Sequence, residues 1–197
     1  HLAVEKNNVE IVKLLLKHPN IDVNNFSYKN GIDGEIEESA LIVAIKNNND
    51  EVIKLLLNHP NIDVNKLTTI KTDKGNVEKK ETALMVAIQH NNVDAIKLLL
   101  QNKSVDVNIK LNEETTALNM AVEKENIEII KLLLSNKNIK NSQPNKGFKG
   151  KTALNIAVEK NNLEIVKLLL TNDNIDVNII NKQKIEKEYE DDDEYEE

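Results

Sequence analysis

Apolar residues recur along this chain in a pattern that predicts pairs of short helices. The string Thr-Ala-Leu-Asn-Ile-Ala at 152–157 has close counterparts at 116–121, 82–87 and 39–44, and a shortened copy opens the chain at 1–3. A triple leucine begins eleven residues after the last alanine of every copy. Apolar residues there follow helical spacing, as in Leu163, Val166 and Leu169. Each copy therefore predicts two amphipathic helices in succession.

Polar residues at fixed places predict where these helices begin and end. A Thr or Ser opens each complete first segment, and its hydroxyl can accept a hydrogen bond from a backbone N–H as an N-cap. The first segment ends at an asparagine pair such as Asn91 and Asn92, and asparagine tolerates the left-handed conformation of a tight reversal. Pro19 and Pro60 forbid continuation of the second segment.

The spacing of the copies predicts a repeat array. Their last alanines are Ala3, Ala44, Ala87, Ala121 and Ala157, at intervals of 41, 43, 34 and 36 residues. The motif Asp-Val-Asn stands nineteen residues after four of these alanines, but the fourth copy has Lys-Asn-Ser at 140–142. Because helices this short are marginal alone, stacking of the hairpins must supply the core. We predict an all-α solenoid of stacked helix-turn-helix repeats joined by long polar loops.

These motifs divide the chain into a repeat domain and a tail. We place repeats at about 1–24, 39–65, 82–108, 116–142 and 152–178, followed by an acidic tail at 179–197. The net charge is −7, yet residues 186–197 alone carry −8, which leaves +1 for everything before them. A block of like charges repels itself, so we expect a disordered tail. The alternative is an acidic arm that binds a basic partner.

The units resemble ankyrin repeats. That family's pattern runs roughly Asp-x-x-Gly-x-Thr-Pro-Leu-His-x-Ala, a short turn, Val-Val-x-Leu-Leu-Leu and Asp-Val-Asn. Gly150, Thr152, Leu154 and Ala157 fall on its first part, and His1 falls on its histidine. The family's proline and its interhelical glycine are replaced here, and the first two connections exceed its period of about 33 residues. The resemblance implies an ankyrin stack, with regular β-hairpins in doubt at those two connections.

Composition excludes several classes of function. There is no cysteine, and all 26 basic residues are lysine, so there is no thiol nucleophile, no Cys-ligated zinc and no bidentate arginine contact. The longest apolar run is six residues, too short for a membrane span. We expect a non-enzymatic protein without cofactor, metal or nucleic-acid partner, located in the cytoplasm, with the nucleus left open. The abundance of Asn, Lys and Ile fits an AT-rich genome.

Two histidines stand at equivalent places in neighbouring repeats. His18 and His59 follow the second predicted helix of their units, where a cation suits the helix dipole. One repeat should separate them, which is too far to share a metal ion. We therefore predict helix capping by these side chains and no metal site.

The resemblance implies that partners bind the concave side, formed by the first helices and the loop tips. Aromatic side chains outside the core are natural anchors for a partner. The alternative, which we favour for each aromatic taken singly, is that it folds back over the adjacent helix pair and closes its own loop. The candidate residues at the helix ends are Glu5, Lys6, Lys46, Asn47, Gln89, His90, Glu123, Lys124, Glu159 and Lys160, and those in the connections are Phe26, Tyr28, Phe148, Lys149 and Lys151.

Two functional hypotheses follow. The first is a monomeric scaffold that binds a protein partner, as the family resemblance implies. The second is a targeting or regulatory module of a larger enzyme or channel, because the chain lacks an initiator Met and terminal capping repeats. Nucleic-acid binding is opposed by the nearly neutral body, the absence of arginine and the acidic tail.

Overall fold

The computed structural model describes residues 1–31, 34–71, 77–111, 115–139, 151–175 and 177. The helices form five successive hairpins, one in each repeat range. They are α1 (Leu2–Glu5) with α2 (Val9–Leu16), α3 (Ala40–Lys46) with α4 (Asp50–Leu57), α5 (Ala83–Gln89) with α6 (Val93–Gln101), α7 (Ala117–Glu123) with α8 (Ile127–Leu134), and α9 (Ala153–Glu159) with α10 (Leu163–Leu170). Phe148, Lys149 and the acidic tail lie outside the described residues.

The predicted Ser and Thr caps begin the first helices. Ser39, Thr82, Thr116 and Thr152 each accept a hydrogen bond from the backbone N–H three residues later, at 3.1–3.3 Å. This bond satisfies one of the N–H groups that a helix start leaves without an intrahelical partner. The prediction of N-caps at these positions is confirmed.

Each hairpin turns at a residue in the left-handed conformation. Asn7, Asn48, Asn91 and Asn161 have φ between 52° and 57°, as predicted from the asparagine pairs. In the fourth hairpin the same conformation falls on Glu125, with φ 53°. The residue after each turn is always asparagine, and its side chain caps the second helix, which the sequence had not indicated.

The hairpins stack through two rows of helices. The first helices α1, α3, α5, α7 and α9 pack in sequence order, and the second helices α2, α4, α6, α8 and α10 form a parallel row. The core between the rows is aliphatic, and Ala44, Ala87, Ala121 and Ala157 are fully buried where neighbouring first helices meet. Small residues at these points let the helices approach closely, so the repeats share one continuous core.

The first two connections contain a sheet where polar loops were predicted. Strands β1 (Phe26–Gly31), β2 (Gly34–Ser39), β3 (Thr68–Lys71) and β4 (Val77–Glu81) form an antiparallel meander in sequence order. Each connection makes one hairpin, and β2 pairs with β3 between neighbouring repeats. The long connections are therefore extended β-hairpins. Their additional length supplies strand residues, and pairing across the repeat boundary satisfies their backbone groups.

The Asp-Val-Asn motif joins each of the first three repeats to the next. Asp63 accepts from the backbone N–H of Asn65 at 3.0 Å and so forms a turn. Val64 is buried in the core. The Asn65 side chain reaches the next repeat, where it donates to the Ser104 carbonyl at 2.7 Å and accepts from the Asp106 N–H at 2.8 Å. Asp63 thus forms the turn, Val64 contributes to the core, and Asn65 makes the contact between repeats.

A second set of contacts, which we call the asparagine ladder, joins the interhelical turns. The asparagine that caps each second helix donates from Nδ2 to the side chain of the left-handed residue in the preceding repeat. Asn92 reaches Asn48 at 2.8 Å in this way, and it also donates to the Ile45 carbonyl at 3.2 Å. The described turns of all five repeats are thereby linked in one line.

His18 and His59 act differently from the prediction. The Nδ1 atom of each ring accepts a hydrogen bond from the backbone N–H two residues later, at 3.2 and 3.3 Å. The equivalent residue in the third repeat, Asn102, accepts in the same way from Ser104. Both rings therefore bond to the turn that follows the helix, where the sequence predicted an interaction of a cation with the helix dipole.

Candidate protein interface

The helix-end residues predicted to bind a partner lie in one row of the stack. In α3, Lys46 is the last helical residue and Asn47 is the C-cap. The four other first helices end in the same way, at Glu5 and Lys6, Gln89 and His90, Glu123 and Lys124, and Glu159 and Lys160. Because these helices pack side by side, the ten residues follow one another along one side of the molecule. We call this row of helix ends the first-helix side.

Most of these side chains are open to solvent. Glu5, Gln89 and Lys160 are half-buried, and the other seven residues are exposed. Asn47 also holds the stack together, because its Nδ2 donates to the Val4 carbonyl of the preceding repeat at 3.3 Å. The row therefore combines exposed polar groups with several that already contact their own or a neighbouring repeat.

A residue just before the N-cap pairs with the end of the same helix. The buried carboxylate of Glu38 accepts from Lys46, and that of Glu81 accepts from Gln89. In the fifth repeat the charges are reversed, with Lys151 Nζ 2.6 Å from Glu159. Sequence reasoning missed the two glutamates, although the opposite charges eight residues apart in the second and fifth repeats were a usable signal.

The electrostatics of the first-helix side are local. The hydrogen bond that Lys151 donates to Glu159 raises the pKa of Lys151 above its ordinary value, against a smaller lowering by desolvation, so this lysine is charged at neutral pH. Lys160 bridges to the preceding repeat, with Nζ 3.3 Å from Glu123 and 3.8 Å from Glu125. Both signs of charge alternate along the described row. Such a surface suits polar groups of mixed charge better than a phosphate backbone.

The opposite side of the stack is uniform. At one exposed position of the second helices every repeat has an acid, and three residues later every repeat has a lysine. These residues pair between neighbours, with Lys13 Nζ 2.9 Å from Glu51 and Lys97 Nζ 3.7 Å from Glu128. We call these faces the second-helix side. Its charges recur in all five repeats, whereas the helix ends of the first-helix side are Glu-Lys in the first, fourth and fifth repeats and differ in the second and third.

The two described aromatic candidates lie in β1 and differ in exposure. Phe26 is half-buried, and the Lys66 ammonium lies 4.1 Å from the centre of its ring. Lys66 also donates to the Asn24 carbonyl, so it bonds to the chain on the N-terminal side of Phe26 as well as to its ring. This arrangement fits the alternative that Phe26 closes its own loop. Tyr28, by contrast, is 61% exposed and keeps its ring at the surface.

Other kinds of site find no support in the described part of the chain. It contains no group of three or more His, Asp or Glu side chains placed to hold a metal ion. None of its helices is both long enough and apolar enough to cross a membrane. The sequence Asn-Lys-Ser at 102–104 matches the acceptor pattern for N-glycosylation, but the Asn102 side chain bonds to the Leu57 carbonyl and the Ser104 N–H within the fold.

Comparison with known proteins agrees with the repeat architecture. The ankyrin repeat domain of Bcl-3, described as a unique member of the IkappaB protein family, matches with a TM-score of 0.66 and 24% identity, over 91% of this chain and 72% of that one. This likeness concerns the fold alone. No curated protein sequence matches the chain. A family model described as ankyrin repeats (3 copies) matches residues 1–68, 64–145 and 84–181, which together span almost the whole length, and the chain therefore belongs to the ankyrin repeat family.

Proposed function

We propose that this chain is a non-enzymatic scaffold that binds a protein partner through its first-helix side, the concave side of an ankyrin stack. Ankyrin repeats in general are protein–protein interaction modules. The observation that carries the proposal is the contrast between the two sides. The charged positions of the second-helix side are the same in all five repeats. The helix ends of the first-helix side are Glu-Lys in three repeats and differ in the second and third, so this side offers more variation for recognition of a partner.

The chemistry of the first-helix side indicates the kind of partner. Its exposed groups are lysines, carboxylates, amides and one imidazole, with carboxylates and ammonium groups in neighbouring pairs. A protein surface of mixed charge can replace such pairs by intermolecular ones, which gives specificity more than affinity. Tyr28 adds an exposed aromatic ring at the hairpin edge of the stack. The proposed scaffold requires no cofactor, metal ion or nucleic acid. We propose a cytoplasmic or nuclear location for it.

Matched charge reversals test the side of binding. Lys6 and Lys124 are equivalent, exposed residues of the first-helix side, and Lys54 and Lys131 are equivalent, exposed residues of the second-helix side. The variant Lys6→Glu with Lys124→Glu and the variant Lys54→Glu with Lys131→Glu change the net charge equally. Affinity capture from the native cell, quantified by mass spectrometry, should lose its specific partner at least about tenfold with the first variant only.

Two results bear against the proposal. Equal retention by both variants would show that neither lysine of the first-helix side contributes. Loss of the partner only with the second variant would move binding to the other side. Circular dichroism melts of both variants provide the control, because all four side chains are exposed and the fold should persist.

The aromatic candidates call for a separate variant pair. Tyr28→Ala should weaken capture of the same partner with little change in stability, because the ring is mostly exposed. Phe26→Ala should lower stability by about 1 kcal/mol, because it removes the contact with Lys66. The same comparison applies to Phe148→Ala, for which weakened capture at unchanged stability supports the anchor and a stability loss supports loop closure.

A further inference from the structure

The carboxylates at the ends of the first helices are already matched within the chain. The last helical residues are Glu5, Lys46, Gln89, Glu123 and Glu159. Glu123 lies 3.3 Å from the ammonium group of Lys160 in the following repeat, and Glu159 lies 2.6 Å from that of Lys151 in its own repeat. Glu5 is engaged as well. A partner that offers a cation to these acids would have to displace an existing contact.

The next residue of each repeat, the C-cap, can donate a hydrogen bond and is never an acid. These residues are Lys6, Asn47, His90, Lys124 and Lys160. Asn47 and Lys160 bond to the preceding repeat. The side chains of Lys6, His90 and Lys124 are exposed, and none of them has a hydrogen bond or ion pair with the described part of the chain. The C-cap positions therefore leave two ammonium groups and one imidazole open.

The second-helix side does not share this bias. There an exposed acid precedes the lysine of every repeat by three residues, so charges of both signs stand open to solvent side by side. At the helix ends of the first-helix side, the charges without a partner among the described residues are of one sign only. A surface whose open charges are all positive attracts a negatively charged group.

The spacing of the open groups favours an extended peptide segment. Packed helices lie about 8–10 Å apart, so equivalent residues of successive first helices advance by about that distance. An extended chain rises about 3.3 Å per residue, so about three of its residues span one repeat. Acids about six and nine residues beyond a first acid would therefore reach His90 and Lys124 when the first lies at Lys6. A nucleic-acid duplex, with one charge per about 1.7 Å, is far too densely charged to match one cation per repeat.

From this charge pattern we propose that the first-helix side binds an acidic, extended segment of another protein, with carboxylates placed against Lys6, His90 and Lys124. The inference rests on the proposed function and names the chemistry of its partner. Within the mixed-charge surface the internal pairs stay intact, and the partner supplies the negative charge that the open positions lack. Because these positions are exposed, each contact adds modestly to the affinity, and salt weakens it.

Fluorescence anisotropy with two labelled peptides tests the proposal on the full chain. The acidic probe is a serine and alanine peptide of about twelve residues with glutamate at every third position, and the control probe has glutamine in place of each glutamate. We expect the acidic probe to bind about tenfold more tightly at low salt and to lose this advantage as salt is raised. The variant Lys6→Gln with Lys124→Gln should weaken binding of the acidic probe about three- to tenfold. The equally charged variant Lys54→Gln with Lys131→Gln should leave it unchanged.

Other outcomes would overturn the proposal. Equal or absent binding of the two probes would show that this side does not recognise negative charge, and a loss with the second-helix variant alone would place the acidic probe on the other side. Binding that appears only after the acids of residues 186–197 are replaced by glutamine and asparagine would assign the open positions to the chain's own acidic segment. A native partner that is crosslinked from position 124 through a segment without acids would contradict the acidic chemistry and leave the proposed function standing.

Discussion

At the scale of single residues, asparagine has specific structural roles that its abundance alone does not indicate. The sequence has 31 asparagines, which composition alone attributes to codon usage. The structure places them in left-handed turns, at N-caps and in contacts between repeats. The left-handed turn was predictable, because asparagine tolerates that conformation. The contacts between repeats were not, because they join residues about 40 positions apart.

The exception among the turn residues gives a prediction. Glu125 occupies the left-handed position that asparagine fills in the other repeats. We expect Glu125→Asn to stabilise the protein by about 0.5–1 kcal/mol, because asparagine carries less strain there and can still accept from Asn162. Urea unfolding measures the change. The reciprocal variant Asn91→Glu should destabilise by a similar amount, and a loss of stability in Glu125→Asn would show that the contact with Lys160 outweighs the strain.

The buried alanines give a second prediction at this scale. Ala121 is fully buried between neighbouring first helices. Ala121→Glu should cost about 4 kcal/mol or more, because the packed site has no room and no partner for a carboxylate. Gln101→Glu introduces the same side chain at an exposed helix end and should change stability by less than about 0.5 kcal/mol. A thermal midpoint of Ala121→Glu equal to that of the unaltered chain would mean the repeat register is wrong.

At the scale of elements, the helices followed from the sequence and the sheet did not. Helical spacing, Ser and Thr caps and the asparagine turn are local signals that recur in register. The strands carry few apolar residues, and β2 pairs with β3 of the next repeat. Pairing of that kind depends on how the repeats stack, so the chain near β1 and β2 does not reveal it. The contacts of the buried Glu38 and Glu81, by contrast, lie within one repeat at a spacing of eight residues, so they were missed although a local signal was present.

The caps of the second helices allow the ladder to be measured. Asn92 caps α6 through the Ala95 N–H at 2.9 Å and also bonds to the preceding repeat. Asn8 caps α2 in the same way but has no preceding repeat to contact in the structure. We expect Asn92→Ala to cost about 2–3 kcal/mol and Asn8→Ala about 1 kcal/mol. Urea unfolding of the two variants should show this difference, and equal losses would mean that the ladder adds nothing to the cap.

At the scale of the whole molecule, the repeats supply the stability and the last twelve residues supply the negative charge. The described repeats form one continuous core whose stability is roughly a sum of contacts between neighbours. The net charge of −7 belongs to residues 186–197, so the rest of the chain is nearly neutral. The described helices pack both within each hairpin and against the neighbouring repeats, and what remains for recognition is the surface. The ten helix-end positions could be predicted because the repeat motifs recur at equivalent places in the sequence. That recurrence carries no information about the identity of a partner.

Photo-crosslinking from two matched positions compares the two sides of the stack. Lys124 and Lys131 are exposed residues of the fourth repeat, on the first-helix side and the second-helix side respectively. A benzophenone amino acid at either position, irradiated in the native cell, reacts only with a protein within contact distance. We expect a specific crosslinked partner from position 124 and none from position 131. The same partner crosslinked from position 131 alone, or equally from both positions, would contradict binding through the first-helix side.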